Sequence, residues 1–155
     1  MALSEQDRKV TAKRAALGEQ IAGAREVLER LRQAAISQSA DDMSRLYAVD
    51  AVHEFPFTRP GAPSRLEGRD EIVNWIAAGW HAYPLKYERY RTLAIHDTDD
   101  PETIIVEQEA LGTSASTGEF ALPNLVVLTV RNGQIVRLRD YVNILAAAAA
   151  MGSDM

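Results

Sequence analysis

The segment EFALPNLVVLTVRNGQIVRLRDYVN, residues 119–143, constrains the fold more than any other part of the chain. Its central pair, Asn132-Gly133, predicts a tight hairpin turn, because asparagine and glycine readily adopt the positive φ angles that such turns require. The flanking residues alternate with the two-residue period of β-strands. The segment therefore predicts two long antiparallel strands that pair with each other.

The second of these strands carries a carboxylate on an apolar face. Asp140 shares that face with Val136, Leu138 and Val142. Burying an ionised acid costs several kcal/mol unless the acid is paired or hydrogen-bonded, so the position needs an explanation. Two explanations are open at this point: a structural hydrogen bond that satisfies the carboxylate, or an acid or base that works inside a pocket.

The composition excludes several classes of protein. The 155 residues are 46% hydrophobic and 25% charged, which predicts one domain with a sizeable core. A net charge of −5 gives no electrostatic reason to expect nucleic acid or a membrane as a partner. The chain has no cysteine, hence no disulfide or thiolate site. Its charged N-terminus, and the lack of an apolar run of about 18 residues, predict a cytoplasmic protein.

The order of the predicted elements is typical of an α+β fold, with helices packed against one curved sheet. Before the hairpin we expect a helix over residues 4–38, either continuous or interrupted near Gly18 or Gly23, and a short helix capped by Asp41 or Asp42. These are followed by a strand over 51–57, a helix from 69 or 70 to 81, and strands over 87–96 and 102–113. Residues 1–33 are expected to form an N-terminal helical extension and first helix, and residues 34–152 the main domain. A short alanine-rich helix is predicted over 144–150.

Two groups of side chains are candidates for a pocket. His53, Phe55 and Phe57 share one face of the strand over 51–57. Trp75 and Trp80 follow at helical spacing; we interpret them as core residues, with a ligand platform as the alternative.

Glu107 and Glu109 share a strand face with Ile105 and Leu111. Two glutamates on one face normally indicate that the face is exposed to water. A strongly curved sheet could instead turn that face toward a cavity, and the sequence leaves both arrangements open.

Common catalytic motifs are absent from the sequence. It has no phosphate-binding glycine loop, no G-x-S-x-G and no H-E-x-x-H. None of His53, His81 and His96 has the spacing of a metal ligand to another, so we expect no metal site. Any chemistry must use carboxylates, one histidine and tyrosines.

Three segments together resemble a known superfamily. They are AVDAVHEFPF (48–57), EGRDEIVNWI (67–76) and GQIVRLRDYVN (133–143), and they are similar to the SnoaL-like branch of the nuclear transport factor two superfamily. Ketosteroid isomerases, limonene epoxide hydrolases, polyketide cyclases and phenazine biosynthesis A/B proteins share this fold. The resemblance implies a cone-shaped, mostly antiparallel mixed sheet wrapped on the N-terminal helices and enclosing a pocket.

The resemblance also implies roles for residues. RDYVN is similar to the last-strand motif of limonene epoxide hydrolases, which makes Asp140 an acid or base, and Glu107 and Glu109 occupy the positions of two further members of the hydrolase acid–base set. Phe55 stands where a ketosteroid isomerase places its base, which argues against steroid isomerisation. We expect Asp140, Glu109 and His53 to be catalytic. The expected substrate-binding residues are Phe55, Phe57, Trp75, Gly79, Glu107, Asn124, Leu138 and Val142.

We therefore hypothesise an isomerase, cyclase or dehydratase that acts on an apolar polyketide- or terpenoid-like molecule in secondary metabolism. Asp140 would shuttle a proton while His53 or Asn124 stabilises charge on a carbonyl or enol, with no metal or organic cofactor. Two alternatives are a binding or partner protein without turnover, and an interaction module whose interior is filled by side chains. All three predict a homodimer, because the outer face of the sheet carries Leu125, Val127 and Tyr141.

Overall fold

The computed structural model describes residues 4–6, 8, 9 and 22–152. From residue 22 onward it contains four helices and six strands in one mixed α+β layer arrangement. The helices are α1 (Ala24–Ser37), α2 (Ala40–Leu46), α3 (Arg69–Ala82) and α4 (Ile144–Ala150). The strands are β1 (Tyr47–Glu54), β2 (Arg65–Glu67), β3 (Leu85–Asp97), β4 (Thr103–Ser114), β5 (Gly118–Arg131) and β6 (Gln134–Tyr141).

The six strands form one sheet in the order β2-β1-β6-β5-β4-β3. Only β1 and β6 pair in parallel; the other neighbours are antiparallel. The pairing shifts register within β3, in β5 at Thr129 and Val130, and between β1 and β6. Such irregularities bend a strand and increase its twist, which favours a curved sheet with one concave face. The predicted fold class, a curved and mostly antiparallel mixed sheet packed on helices, is confirmed.

The hairpin at the centre of the prediction is present. Asn132 and Gly133 have φ angles of 53° and 76°, as a turn with two left-handed residues requires. The register that follows places Val126 opposite Asp140 and Leu128 opposite Leu138. The hairpin therefore directs the Asp140 side chain to the same face as the core residues of β5.

The main core lies between the concave face of the sheet and the helices α1, α2 and α3. The largest side chains with almost no exposure are Tyr47, Ile72, Leu128, Ile135, Val27 and Val106. These residues come from α1, α3 and four strands, so the core brings together elements that are far apart in the sequence. The interior between the sheet and the helices is not packed solid.

Several predicted boundaries need correction. Ser39, rather than Asp41 or Asp42, caps α2, and its side chain accepts the Asp42 N–H at 3.1 Å. The two aspartates lie in the first turn, where negative charge is favourable. The predicted strand over 51–57 begins earlier, at Tyr47, and ends earlier, at Glu54, so Phe55 and Phe57 follow the strand instead of lying on its face. The predicted helices over 69–81 and 144–150 are confirmed within one residue.

Two other expectations remain predictions. Much of the proposed N-terminal extension, residues 7 and 10–21, lies outside the described residues, and the proposed division of the chain at residue 33 stays a prediction, as does the homodimer. Within the described part of the chain, no helix combines the length and apolar character needed to cross a lipid bilayer.

The core assignment predicts a large difference between two leucines of the sheet. Leu128 is fully buried on β5, whereas Leu93 on β3 is 54% exposed. We expect Leu128→Ala to lower the free energy of unfolding by about 2–5 kcal/mol, because it removes buried methyl groups and leaves a cavity. Leu93→Ala is the matched control and should change it by about 0.5 kcal/mol or less. Urea denaturation followed by circular dichroism measures both, and equal losses would contradict the packing.

Candidate active site

A row of polar side chains crosses the otherwise apolar concave face of the sheet. It consists of Gln108 on β4, Asn124 on β5, Asp140 on β6 and His53 on β1, four strands that are consecutive neighbours. Each of these residues falls on the inward face because its strand alternates with the two-residue period. The row therefore places hydrogen-bonding groups at the floor of the interior.

Asp140 is held at the centre of this row. Its Oδ1 accepts a hydrogen bond from Nδ2 of Asn124 at 3.2 Å. Because a carboxylate only accepts hydrogen bonds, the Asn124 amide turns its nitrogen toward Asp140 and leaves its oxygen, Oδ1, without a partner among the described residues. The structural hydrogen bond that the sequence left open is therefore present, and it orients the carboxylate without enclosing it, since 23% of the side chain stays accessible.

His53 lies beside Asp140 and is almost completely buried. Its Nδ1 is 3.3 Å from the Tyr47 hydroxyl, and its ring packs against Phe55 with 4.8 Å between centroids. Its other nitrogen, Nε2, is 3.6 Å from Oδ2 of Asp140, which is beyond hydrogen-bond length, and has no hydrogen-bond partner within the described chain. A buried imidazole with one unsatisfied nitrogen is thus adjacent to a carboxylate.

These groups line a cavity of about 320 Å³ between the sheet and the helices. Helix α1 contributes Leu28 and Leu31, and helix α3 contributes Trp75 and Trp80. A cavity of this size and character is typical of small-molecule sites. The expectation that the interior is filled by side chains, made for the interaction module, is wrong.

Most of the side chains predicted from the sequence meet at this cavity. Its lining includes the predicted residues Asp140, His53, Phe55, Trp75, Gly79, Asn124, Leu138 and Val142. Both tryptophans line the cavity; Trp80 also packs against the core, as expected, whereas Trp75 is 45% exposed, and the alternative of a ligand platform stays a prediction.

The prediction that Glu107 and Glu109 face the pocket is wrong. On β4 the buried side chains are Ile104, Val106, Gln108 and Ala110, so the two glutamates point to the convex face. There Glu109 pairs with Arg91 at 2.5 Å, and Glu107 contacts His96 at 2.6 Å. The ordinary interpretation of two glutamates on one strand face, exposure on the outer side, applies.

Phe57 lies outside the main cavity. It is 63% exposed and packs edge-on against Tyr141 with 5.5 Å between ring centroids. It lines a neighbouring cavity of about 190 Å³ under the Thr58–Pro63 loop, whose walls share Phe55, Trp75 and Val142 with the main one. The Thr58–Pro63 loop thus contributes to this second cavity.

The sequence interpretation missed a buried arginine in the cavity wall. Arg32 on α1 is only 8% exposed, and its Nε and one terminal nitrogen donate to Oε1 of Gln108 at 3.0 and 2.8 Å. Its other terminal nitrogen donates to Oγ1 of Thr92 at 2.8 Å. A signal was available, because Arg32 lies four residues after Leu28 and three before Ala35, on the apolar face of the helix.

Four tyrosines line the main cavity; Tyr83 is 45% exposed, and the other three are shielded from water. Tyr47, Tyr87 and Tyr90 all line the cavity, and burial raises the pKa of each phenol because desolvation disfavours the charged form. The negative charge of Asp140 raises the pKa of all three further. The tyrosines are therefore uncharged hydrogen-bonding groups across the neutral pH range.

Burial has the opposite effect on the arginine. Desolvation lowers the pKa of the Arg32 guanidinium, while the nearby Glu29 carboxylate raises it. Arginine still stays protonated at neutral pH.

No group of three or more His, Cys, Asp or Glu side chains is placed to hold a metal ion in the part of the chain that is described.

Comparison with known proteins identifies the family. The SnoaL-like domain pattern matches residues 24–138. The uncharacterised protein YesE of Bacillus subtilis is 29% identical over 130 residues, covering 82% of this chain and 86% of YesE. An uncharacterised PhzA/B-like protein of Pseudomonas aeruginosa is 34% identical over 109 residues, covering 69% of this chain and 74% of that protein.

Solved structures agree with the fold. A candidate isomerase from Bacillus subtilis is 27% identical with a TM-score of 0.77, covering 85% of this chain and 94% of its own. A phenazine biosynthesis-related protein from Pseudomonas aeruginosa and an LEH-like epoxide hydrolase from M. tuberculosis are 18% and 14% identical, with TM-scores of 0.61 and 0.59. They cover 85% and 81% of this chain and 86% of theirs, and at this identity they show the fold alone. The predicted family is confirmed: the chain belongs to the SnoaL-like domain family.

Proposed function

We propose that the protein is a cofactor-independent isomerase or cyclase that moves a proton on a small, mostly apolar carbonyl compound. One observation carries the proposal: among the described residues that line the main cavity, Asp140 is the sole carboxylate, and Asn124 and His53 hold it against apolar walls. A carboxylate in such surroundings is a general base whose position is fixed before the substrate binds.

Asp140 acts first in this mechanism. Its Oδ2, the oxygen that does not accept the Asn124 hydrogen bond, takes a proton from a carbon next to the substrate carbonyl, and the electron pair of the C–H bond forms the C=C bond of an enolate. The carbonyl oxygen gains the negative charge. In an isomerisation, a C=C bond conjugated with the enolate lets Asp140 return the proton to the far carbon of the conjugated system, so the double bond shifts. In a cyclisation, the enolate carbon attacks a second carbonyl carbon of the same molecule, the π electrons of that C=O bond move to its oxygen, and this oxygen takes the proton from Asp140. No oxidant or reductant is needed in either case.

His53 stabilises the charge that develops on oxygen. We assign the Tyr47 hydroxyl as the donor to Nδ1 of His53, which places the proton of the neutral imidazole on Nε2. That N–H is the buried donor without a partner, and it faces the space beside Asp140. An oxygen of the substrate placed there would receive a hydrogen bond that strengthens as the enolate forms.

Asn124 has a different role from the one first considered. Its amide nitrogen already donates to Asp140, so its free atom is an acceptor, Oδ1. An acceptor cannot stabilise an enolate oxygen. Asn124 therefore orients the base, and its free oxygen can accept a hydrogen bond from a hydroxyl group of the substrate.

The apolar walls favour a substrate with little polarity. Trp75, Trp80 and Phe55 present aromatic surface to the cavity. Leu138 and Val142, two residues before and after Asp140, also line it. Excluding water from such a site strengthens the electrostatic effects of His53 and Asp140. The similar structure from Bacillus subtilis is described as that of a candidate isomerase, which is consistent with this class of reaction.

Replacing the base tests the proposal. We expect the native protein to catalyse exchange of the α-hydrogens of 1-decalone in D2O, and Asp140→Asn to lower the rate about 10²–10⁴-fold, because the amide keeps the shape and loses the basic oxygen. Exchange is measured by NMR.

Glu109→Gln is the matched control, since Glu109 lies on the convex face and pairs with Arg91. It should keep the native exchange rate. If Asp140→Asn retains full exchange, Asp140 is not the base. If the native protein binds the ketone and catalyses no exchange, binding without turnover replaces the enzyme proposal.

The uncharged state of the tyrosines gives a prediction at alkaline pH. The folded protein retains protons on Tyr47, Tyr87 and Tyr90 that the unfolded chain releases, so stability should fall as the pH rises above about 10, the ordinary pKa of tyrosine. Of the five tyrosines in the chain, these three should ionise only as the protein unfolds.

Absorbance at 295 nm measures tyrosine ionisation, and circular dichroism recorded on the same samples measures unfolding. Tyr47→Phe should remove one third of the absorbance change that accompanies unfolding. Ionisation of all five tyrosines near pH 10 with the fold intact would contradict the burial of these phenols.

A further inference from the structure

The Arg32 guanidinium is a buried cation with no closely paired carboxylate. Its hydrogen bonds at 2.8–3.0 Å go to Gln108 and Thr92, which are neutral. The nearest carboxylate oxygen, on Glu29, is 3.8 Å from a terminal nitrogen, and that side chain is 61% exposed to solvent. A charge removed from water in this way is costly unless a counter-ion or further hydrogen bonds compensate for it.

The guanidinium has donors to spare. Arginine carries five N–H groups in a planar fork, and three of them account for the hydrogen bonds to Gln108 and Thr92. One N–H on each terminal nitrogen has no hydrogen bond to a described residue. Arg32 and Gln108 both line the main cavity, so the guanidinium with its two remaining N–H groups is next to the space where a ligand would lie.

A structural role explains only part of this arrangement. The guanidinium lies over the Tyr90 ring, with 5.6 Å from its central carbon to the centroid, and a cation over an aromatic face gains some stabilisation. This contact, the two neutral partners and the solvent-exposed Glu29 carboxylate at 3.8 Å compensate for the charge only in part. A ligand with a negative group would complete the compensation.

We propose that Arg32, supported by Gln108, binds a carboxylate of the substrate, which makes the substrate a small alicyclic or aromatic carboxylic acid. One planar guanidinium matches the two oxygens of a carboxylate. The apolar remainder of the cavity matches a hydrocarbon ring system. This inference rests on the proposed function, in that it names the substrate class of the same cavity.

The polar row sets the approximate size of such a molecule. Gln108 lies on β4 and Asp140 on β6, two strands away in the sheet. Gln108 pairs with Asn124, whereas Asp140 pairs with Val126, so the two positions are also offset by two residues along the strands. With about 4.8 Å between strands and about 3.4 Å per residue along them, the two positions are roughly 12 Å apart. The acid group would therefore bind at the β4 end of the row, with the reacting carbon near Asp140 and the ring system between them.

Binding of matched probes tests the inference without turnover. The probes are decahydronaphthalene-2-carboxylate and its carboxamide, which have the same ring system and differ in charge. The two tryptophans of the chain, Trp75 and Trp80, both line the cavity, so their fluorescence reports binding directly. We expect the native protein to bind the carboxylate about 10- to 100-fold more tightly than the carboxamide, the range for hydrogen bonds to a charged group.

Three variants separate the causes. Arg32→Met should remove the preference for the carboxylate, and Arg32→Lys should retain part of it. Arg30→Met is the matched control, because Arg30 lies on the same helix, is exposed and pairs with Glu26. It should leave the preference unchanged. Circular dichroism checks that each variant is folded, and the comparison of the two probes in the native protein does not depend on any variant.

The outcomes are distinct from those of the catalytic test. Equal binding of both probes to the native protein, no binding of either, or a preference that survives in Arg32→Met would each overturn the inference. Asp140→Asn should keep the carboxylate preference while it loses proton exchange. If the native protein prefers the carboxylate probe but catalyses no proton exchange, the proposed function is contradicted and carboxylate binding by Arg32 is supported. If it catalyses exchange but shows no preference for the carboxylate, carboxylate binding by Arg32 is contradicted and the proposed function is supported.

Discussion

The position of the Asp140 carboxylate is the constraint on which the site depends. It lies on the concave face among valine and leucine side chains, where an unsatisfied charge would be costly. The Asn124 amide offsets part of that cost by donating one hydrogen bond to Oδ1. Nε2 of His53 is 3.6 Å from Oδ2, too far for a hydrogen bond. The result is a carboxylate that is oriented and still accessible, which a purely structural aspartate does not need to be.

The curved sheet makes this arrangement possible. Three strands of the polar row, β4, β5 and β6, follow one another in the chain, and the fourth, β1, comes from far away in the sequence. Parallel pairing of β1 with β6 brings His53 beside Asp140. The helices α1 and α3 then cover the row without filling the space above it. Family membership fixes this architecture and leaves the reaction open, because one fold hosts many chemistries and the site decides among them.

The sequence predicted those features that depend on local periodicity. The Asn132-Gly133 turn, the helix α3 and the inward direction of Asp140 all follow from spacing along one segment. Periodicity divides a strand into two faces but does not say which face is concave. For that reason Glu107 and Glu109 were placed in the pocket, although the face of Gln108 is the one that turns inward.

Arg32 was missed for a related reason. A charged residue on an amphipathic helix is usually at the solvent edge of the apolar face, and only the packing of α1 against β3 and β4 shows that its guanidinium reaches Gln108 and Thr92. Asp140 was noticed because it interrupts a strand of apolar residues. Gln108 interrupts its strand in the same way, between Val106 and Ala110, and the same test applied to it would have located the other end of the row.

A crystal structure with 1-naphthol, a planar mimic of an enol, tests the central claim most directly. The account predicts that its oxygen lies within hydrogen-bond distance of Nε2 of His53, with a ring carbon next to the hydroxyl-bearing carbon facing Oδ2 of Asp140 and the rings between Phe55 and Trp75. Naphthol bound away from the polar row, or bound with its oxygen turned from His53, would contradict the claim that Asp140 and His53 act together on a carbonyl compound.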